Sequence, residues 1–179
     1  MKTHRLFFAL WPPAQVRHSI VETFSQLPPP VKGRFMQAHN LHVTLHFIGS
    51  VTEDKKDCLH VAAQGLDEQG GVKGFDIELN CYGHFSKVKI LWMGVQNLPA
   101  ELMQLQKNLG IALSGCGYQC DKRLYNPHVT LMRKCTKPIV VQQTFSIPWR
   151  VDEFVLVEST QDDSGVNYRV IEKYPLSKT

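Results

Sequence analysis

Asn40-Leu41-His42-Val43-Thr44-Leu45 returns in the second half of the chain as Asn126-Pro127-His128-Val129-Thr130-Leu131, the same at five of six positions. Random residues would repeat some tetrapeptide in about one chain in ten of this length, and requiring the matched Asn lowers that to about one in two hundred. Both copies open stretches of apolar and β-branched residues that read as strands. Side chains alternate along a strand, so His42 and Thr44 face one way with Val43 and Leu45 behind them, and His128 and Thr130 do likewise. The repeat predicts two like halves packed about a pseudo-twofold axis, with the two His-Thr faces meeting across one cleft.

Before the first copy, Leu6 to Leu10 reads as a strand. Pro12-Pro13 opens a helix whose apolar residues Val16, Ile20, Phe24 and Leu27 recur at three- and four-residue steps until Pro28-Pro29-Pro30. The motif strand runs from Leu41 to Ile48 and ends at Gly49. Thr52 then caps a helix with Leu59, Ala62, Ala63 and Leu66 on one face, ending near Gly70-Gly71. Phe75, Ile77 and Leu79 alternate with acids as a half-buried strand, Tyr82 to Ser86 reads as a turn, and Lys89 to Val95 as a further strand. Pro99 admits a helix with the stripe Leu102, Leu105, Leu109, Ala112 and Leu113, which Gly115 and Gly117 end. The second motif starts a strand from His128 to Met132, and Val151 to Glu158 with Val166 to Tyr174 closes the chain as a hairpin about Asp162-Asp163-Ser164-Gly165. Short loops and a terminal hairpin exclude a purely parallel sheet, so the expected class is α+β with mostly antiparallel sheets.

With 179 residues, 43% hydrophobic and 20% charged, the chain is neither disordered, collagenous nor a coiled coil. No apolar run reaches the roughly 18 residues of a membrane span. The basic start mimics a signal peptide, but Leu6 to Trp11 is too short an apolar core and Pro12-Pro13 ends it. Cys58, Cys81, Cys116, Cys120 and Cys135 are odd in number and contain no Cys-x-x-Cys pair. Neither a disulfide framework nor a zinc clamp is expected, and a reducing cytoplasm fits.

A net charge of +4 is concentrated where the motifs are. No Asp or Glu occurs from Val31 to Gly49, which holds Lys32 and Arg34, nor from Lys122 to Trp149, which holds Lys122, Arg123, Arg133, Lys134 and Lys137. Such surroundings favour a phosphate and lack the carboxylate common in hydrolytic zinc sites. Two imidazoles beside a phosphodiester match a definite reaction: a neutral ring takes a proton from water while a protonated ring gives one to the departing ribose oxygen. Both forms are accessible near an ordinary pKa of about 6.5. Thr44, Thr130 and Arg133 would donate to the non-bridging oxygens as negative charge builds there.

Two His-x-Thr-x motifs half a chain apart are the mark of the 2H phosphoesterases. The opening Arg5-Leu-Phe-Phe-Ala-Leu10, the Asn40 to Gly49 strand, Leu91-Trp-Met-Gly-Val95 and Pro127-His-Val-Thr-Leu-Met-Arg133 resemble the LigT-like RNA 2′,3′-cyclic phosphodiesterases over nearly the whole chain. The resemblance implies one bilobal domain over residues 1–179, a pseudo-twofold duplication with mostly antiparallel sheets flanked by helices around a central cleft. The implied activity is hydrolysis of an RNA terminal 2′,3′-cyclic phosphate to a 2′-phosphate, reversible as 2′-5′ ligation. His42 would be the proton donor, His128 the proton acceptor, and Thr44, Thr130 and Arg133 the substrate-binding groups. No cofactor and no metal are implied. The expected partner is RNA or an oligonucleotide with a cyclic phosphate end, with no membrane, and the expected state is a cytoplasmic monomer. His46 and Cys81-Tyr-Gly-His-Phe85 depart from the family pattern.

Two other functions use the same features: a phosphodiesterase for small nucleotides, such as a cyclic nucleotide phosphate or a 2′,5′-oligonucleotide, and a non-catalytic RNA-binding module built on the basic windows. A lone strand histidine is more often structural than catalytic, and strand threonines are ordinarily there for their β-branched shape. Arg133 with Lys134 also reads as a solvated strand end. His42 and His46 would share a strand face and so invite a metal with His39, but no nearby acid or paired Cys completes it. Trp92 reads as core. Phe7, Phe8, Phe35 and Tyr125 offer base-stacking surface only where they are exposed.

Overall fold

The computed structural model describes residues 3–27, 32–68, 71–121, 123–136, 144–162 and 165–178. Pro28-Pro29-Pro30, Gly70, Lys122, Lys137 and the Asp163-Ser164 pair of the last turn lie outside them. Chain order is β1 (His4–Leu10), α1 (Ala14–Ser25), β2 (Arg34–Phe35), a 3-10 turn (Ala38–Asn40), β3 (Val43–Val51), α2 (Glu53–Glu68), β4 (Phe75–Leu79), β5 (Cys81–Phe85) and β6 (Ile90–Gly94). Then follow α3 (Ala100–Ser114), β7 (His128–Arg133), β8 (Ile147–Val151), β9 (Glu153–Asp162) and β10 (Gly165–Pro175).

Eight strands form one antiparallel sheet in the order β10-β9-β1-β3-β7-β6-β5, with β2 joined to β7, while β4 and β8 pair separately. The duplication is visible in the connections. Strand, helix and motif strand occur once as β1-α1-β3 and again as β6-α3-β7, and the two motif strands meet at the centre, where Val43 lies opposite Val129.

Pro13 and Pro99 stand at the N-caps of α1 and α3 with extended backbone, supplying the fixed φ that a helix start accepts. Val16 and Ile20 on α1, and Leu102, Leu105, Leu109 and Leu113 on α3, are the buried stripes that the helical period predicts. They pack with Leu6, Phe8 and Leu10 of β1 and Val43 and Leu45 of β3 in the main core. The opposite face of β1 is also covered: Phe7 and Ala9 join Val155 and Val157 in a smaller cluster edged by Trp11 and Tyr168.

Four expectations need correction. Tyr82 to Ser86 is not a turn, because Cys81–Phe85 forms β5 against β6. Gly83 is in that strand because the Trp92 indole lies across it; a Cβ there would sit 2.0 Å from the ring. Val151 ends one strand and β9 begins at Glu153. The short β8, with Pro148 facing Glu78 in a two-stranded pair, carries too little pattern to announce itself. The strand expected from Leu41 begins at Val43. Finally, Cys58 and Cys116 are joined by a disulfide, their Cα atoms 5.9 Å apart, linking α2 to the turn after α3. The cysteine spacing hid a tertiary contact between two helices that pack together.

Candidate active site

Extending the Val43–Val129 register by one residue each way sets His42 beside Thr130 and Thr44 beside His128. All four side chains, with Arg133, line one cleft of about 810 Å³, so the five residues singled out by the repeat and the basic window come together. Arg5, Arg34 and Lys134 line it too, and no Asp or Glu does among the described residues. Arg34 stands directly opposite Arg133 across β2 and β7. Like charges in that position repel, and a bound anion relieves them.

The two motifs hold their imidazoles by the same device. His42 Nδ1 is 2.7 Å from the Asn40 carbonyl oxygen, and His128 Nδ1 is 2.7 Å from that of Asn126. A carbonyl only accepts, so each Nδ1 carries a proton and each Nε2 is left for proton exchange. The repeat is not symmetric in its asparagines. Asn40 is buried; its Nδ2 donates to the Val166 carbonyl at 3.1 Å and its Oδ1 accepts from the Tyr168 amide at 3.3 Å, which pins β10 to the 3-10 turn. Asn126 is exposed.

Aromatic rings line both imidazoles. Trp11 stacks on His42 with centroids 5.6 Å apart, Phe7 lies at 4.8 Å, and Tyr168 meets it edge-on at 5.2 Å. Phe85 and Trp92 stand 5.0 and 5.9 Å from His128. Trp92, expected in the core, is thus half-buried at the site. Burial is the main reason that the His42 pKa is lowered to about 4; the bond to Asn40 opposes the shift, and the charges of His128 and Arg133 add to it. His128 is lowered for the same reason, with Asn126 opposing and Arg133 adding.

His46 does not share the face of His42. β1 pairs Phe8 with His46 and Ala9 with Thr44, so Leu45 is an extra residue, a bulge that breaks the alternation. His46 turns inward, Nε2 2.7 Å from the Gln106 carbonyl of α3 and Nδ1 3.3 Å from the Tyr118 hydroxyl, and the exposed Phe47 takes the place on the cleft side. The His39, His42 and His46 grouping therefore does not form, and no cluster suited to a metal occurs among the described residues. Of the four candidate stacking residues, Phe7 and Phe8 are buried, Tyr125 is half-buried with its hydroxyl donating to the Thr44 carbonyl at 3.0 Å, and Phe35 is exposed in the cleft. Sequence reasoning missed Arg5, Trp11, Phe47, Phe85 and Tyr168; only the fold brings them here. For the Asn40 clamp the matched Asn was the one available signal.

The RNA 2′,3′-cyclic phosphodiesterase of Escherichia coli (strain K12) is 29% identical over 175 residues, covering 97% of both chains. The protein of the same description from Thermus thermophilus is 28% identical over 96% of this chain and 90% of its own. Crystal structures of E. coli LigT complexed with 3′-AMP and with phosphate superpose with TM-scores of 0.88 and 0.83, at 29% and 28% identity. Each covers 98% of this chain, and 99% and 98% of the LigT chains respectively. No helix among the described residues is long and apolar enough to cross a membrane. The family model of the 2′-5′ RNA ligase superfamily matches residues 11–163, and the chain belongs to that superfamily.

Proposed function

We propose that this protein hydrolyses the terminal 2′,3′-cyclic phosphate of RNA to a 2′-phosphate, without a metal, by proton transfers at His42 and His128. The observation that carries it is the pair of His-Thr stations facing one cation-lined cleft, each Nδ1 tied to a carbonyl and each Nε2 left for exchange. Water attacks phosphorus as His128 Nε2 takes its proton. The bond from phosphorus to O3′ breaks as His42 Nε2 delivers a proton to that oxygen, leaving a 2′-phosphate and a 3′-hydroxyl. Thr44, Thr130 and Arg133 donate to the non-bridging oxygens, where charge accumulates. With a 5′-hydroxyl attacking phosphorus in place of water, the same two transfers break the bond to O3′ and join two ends through a 2′-5′ linkage.

We take the active unit to be a monomer of one bilobal domain, residues 1–179, working in the cytoplasm. The Cys58–Cys116 bridge opposes that compartment, and trapping the thiols by alkylation in intact cells decides it. Incubation with an RNA oligonucleotide bearing a 2′,3′-cyclic end is expected to give the 2′-phosphate, in EDTA as in buffer. A 3′-phosphate product contradicts the leaving group assigned here. Turnover of small cyclic nucleotides alone favours the small-nucleotide reading, and binding without turnover favours a non-catalytic module.

A donor must hold a proton, yet burial by itself keeps His42 neutral at pH 7. The substrate phosphate supplies the missing charge, so anion binding and proton uptake are linked. Inorganic phosphate is expected to bind more tightly as the pH falls from 7 to 6, with net proton uptake in calorimetry across buffers of different ionisation enthalpy. Affinity that rises with pH refutes this. The same depressed pKa acts on folding: the unfolded chain binds more protons than the folded one between about 6.5 and about 4, so this stability is present above pH 6.5 and lost as the pH falls through that window. Phosphate should protect against the loss.

A further inference from the structure

Strand alternation brings His128 and Thr130 to the cleft and, continued, would bring Met132 there and turn Arg133 away. β6 pairs Trp92 with Thr130 and Leu91 with Met132, so Leu131 is an extra residue; this bulge buries Met132 and delivers Arg133 to the cleft. Arg34 faces Arg133 across β2, which closes on β7 because Gly33 has no side chain. A Cβ there would sit 2.8 Å from the Arg133 carbonyl oxygen. The chain then reverses at Lys134, whose φ is +57; Lys89, at +54, is the only other non-glycine residue with positive φ among the described residues. The two corners are locked together. The Cys135 amide donates to the Lys89 carbonyl at 2.9 Å, and His84 Nε2 donates to the Cys135 carbonyl at 2.9 Å. With both main-chain groups of the buried Cys135 committed, the left-handed backbone of Lys134 is held in place and its side chain lines the cleft. His84 lies in the Cys81 to Phe85 stretch, whose departure from the family pattern the hydrolytic reaction leaves unexplained.

Arg34, Arg133 and Lys134 thus stand together at the end of β7, all exposed, and none is ion-paired with an acid among the described residues. A terminal 2′,3′-cyclic phosphate carries a single negative charge, which Arg133 and the two threonines answer. Arg34 and Lys134 are left over. Lys134 is four residues past Thr130, at most about 13 Å along the strand, and its long side chain covers part of that span. The phosphate one nucleotide from the reacting one falls within it, and a strained corner that holds a cation on a cleft is what a fixed anion contact requires.

We propose that Lys134 and Arg34 hold the phosphate on the 5′ oxygen of the terminal nucleotide, a second anion station that selects a chain end over a lone cyclic nucleotide. The station rests on the cyclic-phosphate reading of the same cleft. Turnover is measured with adenosine 2′,3′-cyclic phosphate bearing a 5′-hydroxyl or a 5′-phosphate, and with a diadenosine 2′,3′-cyclic end joined by a phosphodiester or by an uncharged methylphosphonate. Wild type is expected to show a KM about tenfold lower for the charged member of each pair, with kcat little changed. Lys134→Gly, which suits the left-handed backbone, and Arg34→Gln should each shrink that difference to about threefold or less, and Lys134→Arg should keep it. A difference in both pairs supports the station, and one in the dinucleotide pair alone supports it as a site for the linking diester. Equal KM within the dinucleotide pair, or an equal loss on all four substrates in the variants, overturns it. A difference that survives one neutral variant removes that residue from the station, and one that survives both overturns it. Should wild type turn over none of the four, the cyclic-phosphate reading fails instead, and the station is judged by the same comparison of equilibrium binding.

Discussion

Replacing either His42 or His128 with Ala is expected to lower turnover of cyclic-ended RNA by about 10³-fold or more, near the upper part of the range for a positioned acid or base. The double variant should be little worse than either single one, because two groups that move protons in one transition state act as a unit. Folding should persist. Each change leaves one carbonyl, of Asn40 or Asn126, without its imidazole partner, a loss of about 1 kcal/mol. The roles can be told apart by the leaving group. A phosphodiester with a nitrophenolate leaving group needs no proton at the departing oxygen, so it should largely rescue His42→Ala and leave His128→Ala inactive. The opposite result exchanges the roles. That test has force because burial depresses His42 to about 4, which by itself suits a base; on the proposed mechanism it is the substrate anion that makes it a donor. Equal, near-wild-type rates in both single variants would remove the histidines from the chemistry altogether.

The part of the site that was legible in the sequence is the part set by local rules. His42, Thr44, His128 and Thr130 share the cleft because strand alternation holds at each motif, and α1 and α3 fall where their apolar stripes and leading prolines place them. Alternation then fails three residues after His42, at a bulge that exists only because β1 and β3 pair out of step. His46 was therefore assigned to the wrong face, and no property of the isolated stretch would have corrected it. The asparagines give the converse case. Their match in sequence is real, yet Asn40 clamps β10 while Asn126 faces solvent, because the terminal hairpin lies on one side of the pseudo-twofold alone. β5 escaped notice for a related reason. Gly83 is a turn residue by composition and a strand residue by necessity, since the Trp92 ring occupies the space of its side chain.

Opening the Cys58–Cys116 bridge is expected to remove about 2–4 kcal/mol of stability while leaving turnover at 25 °C unchanged. The two cysteines are 58 residues apart, and in the chain-entropy account a closed loop of that length restricts the unfolded ensemble by about 4 kcal/mol. Native-state losses should be small. Cys58 is exposed, Cys116 lies in the turn after α3, and the helices stay packed through Leu59, Leu109 and Leu113, all fully buried. Activity is spared because the sulfurs lie outside the cleft, and α3 supports it through the Gln106 carbonyl that accepts from His46. Urea unfolding of oxidised protein, reduced protein and Cys58→Ser separates the terms: the midpoint should drop by the same amount in the last two with the slope nearly unchanged. Equal midpoints for protein with the bond intact and opened would show that the crosslink adds nothing to the fold. A midpoint loss accompanied by lost turnover would mean that the bridge holds the floor of the cleft as well as the helices. A folded domain with a margin of about 5–15 kcal/mol survives the expected loss, so the same protein can work in a reducing compartment with both thiols open.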